Sequence, residues 1–223
     1  MGNTILMSAE QVYDNCLLSA AAHAVFVLKH PIAAYEQSWD GDNYSFVYGT
    51  TRGTISFDRP RGILAGAARE DESQRRALYP QFNAMELFEE GPAMIVSLAE
   101  QEATQYLFDE IGGVEKPVVT TAFWGMNGEL FLPDGRVEFL KNGGEFPSKL
   151  FSSPETLWKY WREQYALSAD ELALADYIYE SRRAGKRTLS KKEMDRICKI
   201  WGKEPGYQAY LESLAEMGLS VER

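Results

Sequence analysis

The chain has 223 residues, 45% hydrophobic and 25% charged, which is long enough for a buried core and too ordinary for a fibrous or low-complexity protein. Its 33 acids against 23 bases leave a formal charge of −10. A surface of that sign repels phosphates, so nucleic-acid binding and attachment to an anionic membrane are disfavoured, while a basic protein partner is favoured.

The first predicted element is a helix running to about Lys29. Ser8 and Gln11 make a capping box before it, and Val12, Cys16, Ala20, Ala24 and Val27 recur at helical spacing. Its apolar half has the look of a signal-peptide core. However, Glu10 and Asp14 precede it without a Lys or Arg, His23 interrupts it, and it is too short to span a bilayer. Pro31 ends the helix.

Four strands are expected at roughly 33–39, 43–49, 53–58 and 62–68, broken at Asp40-Gly41-Asp42-Asn43, Gly49-Thr50-Thr51 and Asp58-Arg59-Pro60-Arg61-Gly62. The charged run Arg69-Glu70-Asp71-Glu72 and a polar connection to Tyr79 come next. Phe82 to Phe88 suggests a short helix ending at Gly91. Pro92 opens a further helix to about Ile111, closed by Gly112-Gly113.

A second meander is expected at 117–125, 129–132 and 136–140. Its breaks are Asn127-Gly128, whose type of turn needs positive φ at both central residues, and Pro133-Asp134-Gly135. Helices then start at Ser153-Pro154-Glu155, at the Ser168/Glu171 capping box and at the Ser190/Glu193 capping box. A last helix covers about 205–217, with Gly218 after it and Leu219 reaching back to Leu214.

Runs of strands followed by runs of helices argue an α+β fold: an antiparallel sheet built from two β-meanders with packed helices and a C-terminal helical extension. The last 58 residues balance ten acids with ten bases, so the net charge sits before them. The expected division is an α+β domain over 1–165 and a helical extension over 166–223 packed on it.

Catalytic signals are few. There is no G-x-S-x-G. His23 reads as a satisfied core histidine, and His30 as a cation suited to a helix end. Two cysteines, Cys16 and Cys198, and two histidines without paired spacing suggest neither a disulfide framework nor a zinc site. No metal or cofactor is expected. Gly62 and Gly66 lack the lysine of a phosphate loop and read as a bulge or a close backbone approach.

Between His30 and Glu115 the basic residues are all arginines: Arg52, Arg59, Arg61, Arg69, Arg75 and Arg76. Asp58, Glu70, Asp71 and Glu72 lie in the same segment, which favours structural ion pairs over an anion site. Trp39 and Tyr44 flank the acidic turn, as a cross-strand aromatic pair or as a grip for a cation. The candidate binding site is therefore Trp39, Asp40, Tyr44 and Arg69.

Leu157, Trp158, Trp161 and Tyr165 form one helical stripe, read as a packing seam. Lys192, Arg196, Lys199 and Lys203 form a basic stripe opposite Met194, Ile197 and Trp201, read as a solvated face.

The leading functional expectation is a cytoplasmic, non-enzymatic binding or regulatory protein of a bacterium. One version is an acidic inhibitor of the immunity type acting on a basic protein partner. The alternatives are a metal-independent enzyme using Arg69 plus a carboxylate, and a nucleic-acid-linked regulator using the basic C-terminal helix.

Overall fold

The computed structural model describes residues 3–78, 83–199, 202 and 204–222. In chain order its elements begin with β1 (Thr4–Leu6), α1 (Ala9–Val27), β2 (Gln37–Asp40), β3 (Asn43–Tyr48), β4 (Thr51–Asp58) and β5 (Ile63–Glu70). Next come α2 (Gln74–Ala77), α3 (Ala93–Leu98), β6 (Phe108–Ile111), β7 (Val114–Pro117), β8 (Thr121–Met126), β9 (Glu129–Phe131), α4 (Gly135–Phe139) and α5 (Glu145–Leu150). The chain closes with α6 (Pro154–Gln164), α7 (Ala169–Arg183), β10 (Thr188–Leu189), α8 (Lys191–Ile197), α9 (Tyr207–Glu216) and β11 (Ser220–Val221). The fold is α+β, with a large antiparallel sheet of seven strands and two-stranded accessory sheets. Contacts gather the chain into two compact units, one of residues 1–13 and 42–151 and one of residues 14–41 and 152–223.

The first unit holds six strands of the large sheet, in the order β1-β9-β8-β5-β4-β3. Asp58 accepts a hydrogen bond from the Arg61 amide, and Gly62 turns left-handed at φ 65°, which sends β4 back as β5. Asn127 and Gly128 both take positive φ between β8 and β9, as the hairpin signal requires. Pro133-Asp134-Gly135 also turns the chain, with the Gly135 amide bonded to the Leu132 carbonyl at 2.9 Å.

After that second turn the chain forms helix α4, not the strand expected at 136–140. Arg136-Val137-Glu138-Phe139-Leu140 alternates like a strand, yet Val137 is 77% exposed and Phe139 is buried. The third partner of the second meander is instead β1, whose Ile5 stands opposite Leu130.

The helix expected over 92–111 is also corrected. It runs as α3 and one wider turn to Ala103, and Phe108–Ile111 then pairs antiparallel with Val114–Pro117. Gly112 (φ 62°) and Gly113 (φ 80°) form the tip of that hairpin rather than a helix cap.

Alternation along the ladders sorts the side chains onto two faces. On one face Phe46 and Phe123 meet the helices α4 and α5. The Phe46 and Phe146 rings stack at 4.5 Å, and Phe123 meets Phe151 edge-on at 4.9 Å. On the other face Ile63, Ala65, Ala67, Ala122 and Trp124 pack against Leu87, Phe88, Ile95, Ala99, Ala103 and Leu107. The small alanines of β5 let that second layer sit close.

The second unit contains the rest of α1, β2 and the helices α6–α9. The strand expected at 33–39 begins only at Gln37. Pro31–Glu36 is a tight helical turn, with Pro31 at its first position where a missing N–H costs nothing. Trp161 is buried, and its indole N–H donates to the Ser19 hydroxyl at 2.9 Å, which donates to the Asn15 carbonyl at 2.9 Å.

Ser168 and Glu171 make both bonds of the expected capping box, whereas Ser190 makes no side-chain cap bond. Helix α8 ends at Ile197, so Lys199 lies past it, and Trp201 and Lys203 fall outside the described residues. Gly218 is left-handed at φ 74°, and the Leu219 amide bonds the Leu214 carbonyl at 2.8 Å, the 6→1 bond of a Schellman cap.

Candidate functional site

In the first unit Arg69 stands directly opposite Arg52 in the β4–β5 ladder, a like-charge pair that needs carboxylates to hold it. Asp71 and Asp109 provide them. Arg69 Nε lies 3.0 Å from Asp71 Oδ1 and its Nη1 lies 3.3 Å from Asp109 Oδ2. Arg76 spans the same two carboxylates at 3.3 and 3.0 Å, and Arg52 reaches Asp71 at 3.4 Å. Burial alone would raise the Asp109 carboxyl, but the Arg76 hydrogen bond and the Arg69 charge hold it below its ordinary value.

Arg69 is almost fully buried, with its guanidinium committed to this network and to the Phe108 carbonyl at 3.5 Å. Sequence reasoning supplied the right kind of partner but half of the actual set. Asp109 comes from β6, well beyond the local acids. Glu70 turns to the Thr51 hydroxyl instead, and Asp58 pairs with Arg61 at 2.6 Å.

Within this unit Tyr44 does not join Arg69. Tyr44 is fully buried opposite Ile55 of β4, three positions from Arg52, so it projects from the opposite face of the sheet to Arg69. Trp39 and Asp40 belong to the second unit. There Trp39 is buried, with its amide 3.3 Å from the Glu216 carboxylate, and Asp40 is exposed.

A different surface of the first unit concentrates charge. From Ala77 to Glu115 there is no Lys or Arg, while Glu86, Glu89, Glu90, Glu100, Glu102, Asp109, Glu110 and Glu115 all fall there. Asp109 is held by the arginines, and Glu89, Glu90, Glu100, Glu102, Glu110 and Glu115 reach solvent. Ile95, Ala99 and Ala103 turn inward from this layer, leaving Glu100 and Glu102 outward, with Glu102 accepting from Asn43 Nδ2 at 3.0 Å. Met94, Tyr106, Phe108 and Val114 are exposed on the same stretch, between 39% and 61%. The β6–β7 hairpin was not anticipated. Its legible signal was Gly112-Gly113, which suits a type I′ turn as well as it suits a helix end.

In the second unit a buried titratable cluster forms around His23. His23 Nε2 lies 3.1 Å from the Ala33 carbonyl, so that nitrogen carries the hydrogen. Its Nδ1 then accepts from the Tyr165 hydroxyl at 3.1 Å, which itself accepts from Gln37 Nε2 at 3.0 Å. Burial pushes the His23 pKa down to about 4 against the smaller opposing effect of the Ala33 bond. The relay is satisfied with a neutral ring, which is the core role read from the sequence. Burial raises the Cys16 thiol well above its ordinary value, and Cys198 is buried too.

Among the described residues, small cavities open on the first unit. One, of about 170 Å³, lies among Ala9, Glu10, Phe57, Arg59, Gly62 and Ile63, and one of about 130 Å³ lies beside Ile5, Phe139 and Phe151. Neither gathers a nucleophile with a base. Among the described residues no group of three His, Cys, Asp or Glu is placed to hold a metal ion, and no helix is long and apolar enough to cross a membrane. No family model, curated protein or solved structure matches the chain.

Proposed function

We propose that this is a non-enzymatic binding or regulatory protein that engages a basic protein partner, in the manner of an acidic inhibitor, through the layer formed by residues 84–117. The observation that carries the reading is a stretch from Ala77 to Glu115 with eight acids and no base, interspersed with exposed Met94, Tyr106, Phe108 and Val114. Carboxylates steer and orient a cationic partner, and exposed aromatic and aliphatic groups supply the desolvated contacts that slow its release. Arg69 and Arg76 of the same unit are drawn into ion pairs with Asp71 and Asp109 beside this layer. Two buried thiols suit the reducing cytoplasm in which such a protein would work.

The test is capture of partners from the native host at low and high salt, with the wild type and with a variant in which exposed carboxylates across the layer are neutralised, Glu86→Gln/Glu89→Gln/Glu90→Gln/Glu100→Gln/Glu110→Gln/Glu115→Gln. The expected captured proteins are basic, lost at high salt and lost with the variant. A partner set indifferent to both changes would overturn the reading.

A further inference from the structure

Within that acidic layer, the β6–β7 hairpin carries a specific arrangement. In its register Asp109 faces Lys116, Glu110 faces Glu115 and Ile111 faces Val114. Asp109, on one side of the pleat, is fastened to Arg69 and Arg76. The alternate side presents Phe108, Glu110, Glu115 and Pro117. With a two-residue turn at Gly112-Gly113, the Glu110/Glu115 pair falls at a non-hydrogen-bonded position, where facing Cβ atoms are about 5 Å apart. Like charges facing each other there work against the hairpin. Both side chains are exposed, and among the described residues neither carboxylate lies within ion-pair distance of a cation. Phe108, on the same side, is 39% exposed.

We infer that this face of the hairpin is the docking surface for an extended, arginine-bearing segment of a partner protein, one guanidinium being taken between Glu110 and Glu115 and its stem lying against Phe108. The inference rests on the proposed function above and names the place and chemistry of the contact. Charge complementarity selects the occupant. A guanidinium presents donors on two sides of a plane and can bond two carboxylates at once, and it stacks on an aromatic ring. Binding relieves the repulsion that the free hairpin carries, so the two glutamates disfavour the isolated hairpin and favour the complex. The network of Arg69, Arg76 and Asp109 holds the opposite side and fixes which face is presented.

The experiment titrates the full chain with a synthetic nine-residue peptide alternating arginine and valine, following backbone amide shifts, with a glutamate–valine peptide as control. Variants are Glu110→Gln/Glu115→Gln, Phe108→Ala, and Glu86→Gln/Glu89→Gln/Glu90→Gln. Thermal unfolding of each guards against misfolding, and the Glu110/Glu115 variant should melt no lower than wild type because it loses a repulsion.

The expected result is shifts concentrated in residues 106–117 and affinity for the arginine peptide weakened about tenfold or more by the hairpin variants. The Glu86/Glu89/Glu90 variant should change it by less than about threefold. Selective binding that fails with that variant and survives in the hairpin variants would overturn the inference and leave the proposed function standing. Binding no tighter than that of the glutamate peptide would overturn both.

Discussion

The ring of Phe123 fills the space that a side chain on Gly66 would need. The two residues face each other across the β5–β8 ladder, and a Cβ on Gly66 would lie 2.1 Å from Phe123 Cζ. Gly53 stands in the same relation to Phe46 across β3 and β4, at 2.4 Å. On this face the sheet alternates absent side chains with phenylalanines that lie flat over them, which lets the helices α4 and α5 approach. Gly66→Ala should therefore cost about 1–3 kcal/mol in urea unfolding, as overpacking of a core does. In a Phe123→Ala background the same substitution should cost far less, and additive losses in that double-mutant cycle would refute the pairing.

Arg69 and Arg52 face each other on β5 and β4 but should respond differently to truncation. Arg69→Ala strips a buried guanidinium from Asp71 and Asp109 and is expected to cost about 2–4 kcal/mol. Arg52→Ala removes a half-exposed partner of Asp71 and should cost less than about 1 kcal/mol. Chemical denaturation of the two variants checks the contrast.

The buried neutral His23 links stability to pH. Its folded pKa of about 4 lies below the ordinary value of 6.5, so between those values the unfolded chain binds a proton that the folded chain refuses. The contribution is absent above about pH 6.5, grows as pH falls, and levels off below about pH 4 at about 3 kcal/mol of lost stability. Carboxylates titrate in the same window, so the quantity to measure is wild type minus His23→Gln. That difference should slope between pH 6.5 and 4 and be flat above it.

Trp161 is the most voluminous fully buried side chain among the described residues, and Trp161→Ala should cost about 3–5 kcal/mol. Ser19→Ala keeps the ring but removes the acceptor of its indole N–H, and should cost about 1–3 kcal/mol. A loss below about 1 kcal/mol for Trp161→Ala would place the ring outside the core.

Ala166 is left-handed at φ 48° just past α6, a conformation in which its Cβ is strained. Ala166→Gly is expected to raise stability by about 0.5–1 kcal/mol, read as a higher denaturant midpoint at unchanged slope.

Much of the fold was legible where local chemistry decides structure. Ser8/Gln11, Ser168/Glu171, Asn127-Gly128 and Gly218 all act through backbone groups a few residues away, and each does what its residue type suggests. Elements set by distant partners were not legible. Thr4–Leu6 is a strand because Glu129–Phe131 offers it an edge, and nothing in its own three residues announces that. Val137 and Phe139 follow strand alternation, but only Phe139 is buried, edge-on to Phe123, while Val137 faces solvent, and a helix forms. The site was readable in part. The arginine pairing was foreseeable from composition, but its partner Asp109 was hidden because Phe108–Ile111 continues the apolar periodicity of the preceding helix. Trp39 and Tyr44 have the ring chemistry of a contact surface, but burial takes both rings away from solvent.

The division of the chain between the two units has a consequence for synthesis. The second unit needs residues 14–41 together with residues 152–223. A ribosome releases the apolar run of α1 early, yet Leu157, Trp161, Leu174 and Tyr210 emerge only after the whole 42–151 stretch. At about 5–20 residues per second that interval is on the order of ten seconds. Throughout it α1 lacks the cover that residues 152–223 supply, Trp161 on Ser19 among it, so its apolar side chains are exposed to misassociation for that interval.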